Sequence, residues 1–207
     1  MLHKAHRSIA VFLCAFIVVH LVNHLVAISG VTAHMEFMES ARRIYRHPLL
    51  EPILLTALGM QIVIGLMFVY RTWGQREGFF PKIQALSGCY LAFFLIAHVG
   101  ATLNARITLG LDTNIYFAAA GIHAANLSWF FVPYYFLAVL AVFGHVASAM
   151  HWFLSRQRTS ALATQISGAV ILLGVLLASL ITLVLSGAFY DFEIPESYGT
   201  MFSALPS

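Results

Sequence analysis

The sequence predicts an all-α protein that crosses a membrane five times. Two observations carry this expectation. The chain is 60% hydrophobic and only 9% charged, with a mean hydropathy of +0.86, whereas a soluble domain carries about a quarter charged residues. The charges also cluster between long apolar runs, each longer than the roughly 20 residues that a helix needs to cross a bilayer. The runs fall at about 7–29, 48–71, 82–105, 129–153 and 160–188. Alternation at strand period is absent, which argues against a barrel. No shift in composition divides residues 1–207 into more than a single transmembrane domain.

The first run follows a basic flank, MLHKAHR, as a secretory leader does. No small-x-small cleavage site follows at the right place, and the apolar stretch continues to Ala27, so an uncleaved first helix is expected. Orientation follows from Lys and Arg in the short connections. One side holds Lys4, Arg7, Arg71, Arg76, Lys82, Arg156 and Arg158. The other holds Arg42, Arg43, Arg46 and Arg106, with most of the acids. This bias predicts the N-terminus inside and the C-terminus outside. The net charge of +3 is then a topology signal, and no nucleic-acid partner is expected.

The connection at 30–47 places Met35, Met38, Ile44 and Tyr45 roughly on one helical face, which suits a short helix lying in the outer interface. The third connection, LGLDTNIYFAAAGIHAANLS, is too apolar for a free linker and is expected to dip into the interface. The tail DFEIPESYGTMFSALPS lacks strong periodicity, and a polar tail through Ser207 suits a chain packed on partners. Cys14 and Cys89 fall mid-helix, where they are expected as small buried hydrophobes. The chain has no CxxCH motif, which excludes covalent c-type haem.

Histidine is the unusual residue. His3, His6, His34, His47, His123 and His151 fall at helix ends or in connections, where an interfacial or solvated ring is expected. His20, His24, His98 and His145 fall within the apolar runs, where ionisable groups are costly and mark function. Two of them sit in repeated surroundings. Offsetting the chain by 78 residues lays His20 on His98, with Phe16 on Phe94, Leu13 on Leu91 and Ala10 on Gly88. His20 lies about 20 Å along its helix from Arg7, and His98 about 24 Å from Lys82, so both belong to the outer half. Two imidazoles at one level on two helices of a bundle can ligate a haem iron from both faces. His24, four residues on from His20, shares a similar face and is the alternative ligand on that helix. In the other leaflet His145 lies roughly 16 Å from its basic flank. Its counterpart at that depth on the second helix is Gln61. This layout looks like a second haem site with one imidazole missing, in which His145 faces Gln61 and hydrogen-bonds it.

Four motifs carry a resemblance. They are FIVVHLVNH around His20, RHPLLEPILL around Glu51, LSGCYLAFFLIAHV around His98 and FGHVASAM around His145. Over about residues 1–155 the chain resembles the membrane-anchor cytochrome b of succinate dehydrogenases and fumarate reductases, in its single-chain, five-helix form. The resemblance implies a four-helix haem-binding bundle with the fifth helix alongside. It implies His20 and His98 as axial ligands of an outer haem b, and His145 as the remnant of an inner site or the ligand of a second haem. The helix-two ligand of that family is replaced here by Gln61, so about one haem per chain is expected, not two. The resemblance also implies a quinone as the second cofactor, and flavoprotein and iron–sulfur subunits or another membrane complex as partners. The chain would then be a non-catalytic anchor and electron-transfer subunit of a quinone oxidoreductase, in a respiratory chain of the bacterial inner membrane.

Glu51 opens the second helix on the outer side. It is either a proton acceptor from quinol or a first-turn acid favoured by the helix dipole and Arg46. Arg106, at the outer surface, is either a partner for haem propionates or a snorkelling cation. Two rival readings remain. One is a structural subunit of a larger respiratory or photosynthetic complex. The other is a pigment-binding subunit in which lone histidines ligate chlorin magnesium.

Overall fold

A computed structural model describes residues 1–124, 126–191 and 193–199. Among these the regular elements are all helical: α1 (Leu2–Val26), α2 (Val31–Tyr45), α3 (Leu50–Thr72), α4 (Phe79–Ile107), α5 (Ile115–His123), α6 (Ser128–Leu154), α7 (Ser160–Leu185) and α8 (Glu196–Gly199). Five of them, α1, α3, α4, α6 and α7, are long and apolar enough to cross a membrane. The protein is accordingly a multi-pass membrane protein with lipid-facing helices. Large apolar side chains such as Val11, Val63, Ile96 and Leu172 lie exposed on their outer faces, where hydrocarbon is the natural solvent.

The long helices match the expected runs to within a few residues, with one informative difference. α1 begins at Leu2. Nothing in LHKAHR breaks a helix, so the basic flank continues the span, and His3 and His6 ride on a regular helix.

α1, α3, α4, α6 and α7 form a closed ring, each packed on the next, with α7 meeting α1. The fifth helix therefore stands between the first and the fourth as part of the wall. The most extensive join is between α6 and α7. Ala138, Ala141, Gly144, Ala147 and Ser148 of α6, and Ala163, Ser167, Gly174 and Ala178 of α7, are buried. Helices in lipid gain little from hiding apolar surface from one another. They associate through close packing, which small residues permit. At Gly174 the approach is closest: a Cβ there would stand 2.4 Å from Cβ of Phe143.

The packed apolar core sits toward the end opposite Met1, where α5 wedges against α6 and α7. Ile115, Ala119 and Ile122 meet Val139, Ala178, Ile181 and Leu185, with Ala27 beneath. The third connection thus contributes a core helix, beyond the interfacial segment its composition suggested. Asn114 caps α5, its Oδ1 accepting from the backbone N–H of Tyr116 at 2.9 Å. α2 is a helix as expected, but its buried face is His34, Met38 and Arg42, while Ile44 is exposed. Polar partners choose that face, since Arg42 pairs with Asp112 at 2.8 Å and His34 bonds Asn23 at 3.0 Å. Gly30, with φ +114°, makes the turn from α1 into α2 that a side chain would resist.

Cys14 is exposed where it borders the cavity and Cys89 is half-buried, so neither is the fully buried residue expected. Of the tail, Tyr198 is buried and its hydroxyl donates to the carbonyl of Asp112 at 2.9 Å. Residues 200–207 of the expected tail lie outside the described residues.

Replacing Gly174 by Leu is expected to separate α6 from α7, with a loss of about 1–3 kcal/mol. A lowered melting temperature of the purified protein in detergent checks this, with Gly168→Leu, where a Cβ would meet open space, as the comparison.

Candidate functional site

Within the ring the helices do not close on one another. A continuous cavity of about 760 Å³ runs from His3 and His6 near the Met1 end to Arg46, Glu51 and Arg106 at the other. All five spanning helices contribute to its lining. The space is partly open at its edges, so water, lipid or a ligand can enter it, and the lining bears on which kind of group suits it.

His20 of α1 and His98 of α4 face each other across the cavity with ring centroids 6.0 Å apart. An iron held by two imidazoles places their centroids about 6 Å apart, given metal–nitrogen bonds of about 2.0 Å. The expected pair therefore meets at one level, at a separation that fits the iron of a haem b. Each ring is held from one turn earlier in its own helix. Phe16 stacks on His20 at 5.7 Å and 16°, and Phe94 stacks on His98 at 5.0 Å and 12°. The repeated Phe-x-x-x-His is thus a repeated orienting device. Phe94 is supported in turn by Tyr134 of α6, whose ring lies 4.7 Å away. Among the described residues no protein group hydrogen-bonds the imidazole nitrogens of His20 or His98. That leaves both rings free for a ligand.

His24 lies edge-on to His20, 4.8 Å between centroids, and its Nδ1 is buried without a partner. Beyond it stands His34 of α2, 5.9 Å from His24 and almost wholly buried. His34 was expected as an interfacial ring. It is buried because the turn at Gly30 folds α2 back over the end of α1. The side-chain amide of Asn23 meets its Nε2 at 3.0 Å. Burial pushes the His34 pKa down to about 4, helped by the nearby Arg42 guanidinium and by His20. Among the described residues no group of three or more His, Cys, Asp or Glu side chains is arranged to hold a bare metal ion. A haem asks only two axial ligands of the chain.

At the mouth opposite Met1, Arg106 and Glu51 form a two-pronged ion pair. Nη1 meets Oε1 in a short contact and Nη2 meets Oε2 at 3.3 Å. The expected proton acceptor and the expected propionate partner are therefore each other's partners. Arg46 stands beside them and donates to the Thr113 hydroxyl at 2.7 Å. Among the described residues no carboxylate lies in salt-bridge range of Arg46. Burial and the neighbouring Arg42 and Arg106 lower its pKa, which still leaves a guanidinium charged at neutral pH.

Nearer the Met1 end, His145 does not hydrogen-bond Gln61. Its Nδ1 lies 3.1 Å from the carbonyl oxygen of Gln84 and 3.2 Å from Oγ of Ser87, both on α4. Gln61 instead meets His6, with 3.3 Å between Gln61 Nε2 and His6 Nε2. The reason is the early start of α1, which carries His6 into the bundle against α3. No signal in the sequence separated His6 from the other flank histidines once the helix was taken to begin at 7.

The fold and lining define a multi-pass helical membrane protein built around an imidazole-lined internal cavity. Compared with known families, curated proteins and solved structures, the chain finds no match in any of the three.

The His34 shift has a pH consequence. When α2 lifts away, the exposed ring regains its ordinary value of about 6.5. Between pH 6.5 and about 4 the open form then binds a proton that the closed form refuses, so stability falls with falling pH in that window. Backbone amides of residues 31–45 should exchange hydrogen faster at pH 5 than at pH 7 after correction for intrinsic rates. The expected loss of protection is about 2 kcal/mol, and His34→Phe should abolish the difference.

Proposed function

We propose that the protein is a b-type haem membrane-anchor subunit. In this reading it passes electrons between a quinone pool and peripheral flavoprotein and iron–sulfur subunits, as in the succinate dehydrogenases and fumarate reductases that its motifs resemble. The observation that carries the reading is the His20–His98 pair, 6.0 Å between centroids in an apolar cavity, each ring stacked on a phenylalanine and, among the described residues, free of protein hydrogen bonds. Lipid tails would fill the volume equally well, but they would leave those imidazoles without partners in a low-dielectric interior, which is costly.

The bound haem supplies a one-electron couple, whose potential the axial imidazoles and the surrounding burial set. The chain's residues do the rest. His20 and His98 hold the iron, Phe16 and Phe94 fix the planes of the imidazoles, and the apolar helix faces exclude water. Arg46, charged and without a carboxylate partner among the described residues, is the group at the mouth that suits a propionate, because Glu51 already occupies Arg106. Glu51 can accept a proton from quinol only as that ion pair opens. The Lys and Arg distribution supports an inward-facing N-terminus, and the resemblance would put the partner subunits on that Met1 side of a bacterial inner membrane.

A reduced-minus-oxidised spectrum of the purified protein tests this. A sharp reduced α-band is expected. His20→Leu and His98→Leu should each lose the haem that this pair holds, with haem content and the reduced band lowered to the same extent, while the chain still inserts in normal amount. Haem content unchanged in both variants would overturn the assignment. Strong red bands would favour a chlorin-binding subunit, and no chromophore would favour a structural one.

A further inference from the structure

The cavity contains a second pair of imidazoles that the helix-two position does not supply. His6 and His145 both line it toward the Met1 end, from α1 and α6. His6 lies along α3, with Gln61 at 3.3 Å, a Cβ at Gly65 3.4 Å from its Cε1, and Phe68 edge-on at 5.5 Å. It therefore stands over the stretch of α3 where the ligand was expected. His145 is matched on the other side by Gly88 of α4, where a Cβ would come 3.2 Å from the ring. Each imidazole thus rests against a glycine, and at Gly88 an added side chain would crowd the His145 ring.

The hydrogen bonds leave one nitrogen of each ring uncommitted. His145 donates from Nδ1 to the Gln84 carbonyl, which fixes the tautomer with the lone pair on Nε2. A ring N–H held by a backbone carbonyl is the usual support for a metal-ligating histidine. At His6, Nδ1 is buried with no partner, and Oε1 of Gln61 is likewise buried and unpartnered. The two ends of an amide are assigned from their surroundings. With the amide of Gln61 turned over, Oε1 accepts from Nε2–H of His6, and His6 Nδ1 keeps a lone pair. That arrangement gives Oε1 a partner and leaves the one remaining nitrogen as a ligand.

We infer that His6 and His145 are the axial ligands of a second haem b, with α1 supplying through His6 the imidazole that α3 lacks at Gln61. Gln61 acts as a positioning residue that orients His6 through its amide. The inference rests on the proposed haem-anchor function and adds a second site to it, so α1 carries a ligand for both haems. It also replaces the expectation of about one haem per chain.

Haem per chain, measured as the pyridine haemochrome on the full chain purified in detergent, tests this together with a redox titration of the reduced band. Two haems per chain are expected in the unmodified protein, titrating as two components. His6→Leu and the milder His6→Gln should each halve the haem content and remove one component. The other component, which depends on His20 and His98, should survive and so report that the bundle is still folded. Adding Gln61→His to His6→Leu should restore the second haem from α3. One haem per chain in the unmodified protein, or two in both His6 variants, would overturn the inference while leaving the haem-anchor reading in place. No haem at all would remove both.

Discussion

Imidazole inside an apolar bundle is the constraint on which this architecture turns. A neutral ring still carries one donor and one acceptor, and lipid offers nothing to either. Three of the histidines that line the cavity settle one nitrogen on the chain. His145 uses the Gln84 carbonyl, His34 uses Asn23, and His6 uses Gln61. Among the described residues His20 and His98 make no such bond, and each is stacked on a phenylalanine. Rings oriented by packing, with their nitrogens left free, are what the proposed haem would ask of the chain.

The packing is distributed unevenly around the ring. Small residues draw α6 and α7 together, and α5 wedges into the same side, so rigidity is concentrated in one wall of the ring. α1 and α3 meet their neighbours less extensively, and together with the inner faces of α4 and α6 they enclose most of the cavity. The mouth away from Met1 is tied by charge: Glu51 with Arg106 joins α3 to α4, and Arg42 with Asp112 joins α2 to the segment before α5. These pairs cross-link helices whose apolar faces are turned to lipid and to the cavity. Removing either partner of the half-buried Glu51–Arg106 pair would leave an unmatched charge at the membrane edge, a larger penalty than the pair itself is worth.

The sequence by itself determined the number of spans, their approximate limits and the level match of His20 with His98. Each of these depends on a one-dimensional property, either the length of an apolar run or a count of residues along a helix of fixed rise. It also marked Phe16 and Phe94 as equivalent, though not that they stack on the histidines. Tertiary structure alone decided what depends on which helices become neighbours and how connections fold back. The turn at Gly30 lays α2 over α1 and buries His34, a residue that looks interfacial in the chain. Buried polar partners, more than apolar periodicity, selected the inner face of α2. The third connection became a core helix because α6 and α7 leave a groove that its alanines fit. Gln61 and His145 match in depth, yet each bonds elsewhere, Gln61 with His6 and His145 with α4. Depth fixes only one coordinate, whereas rotation about each helix axis and the order of helices around the ring fix the other two. Those are set by side-chain packing between segments far apart in sequence, which no local pattern records.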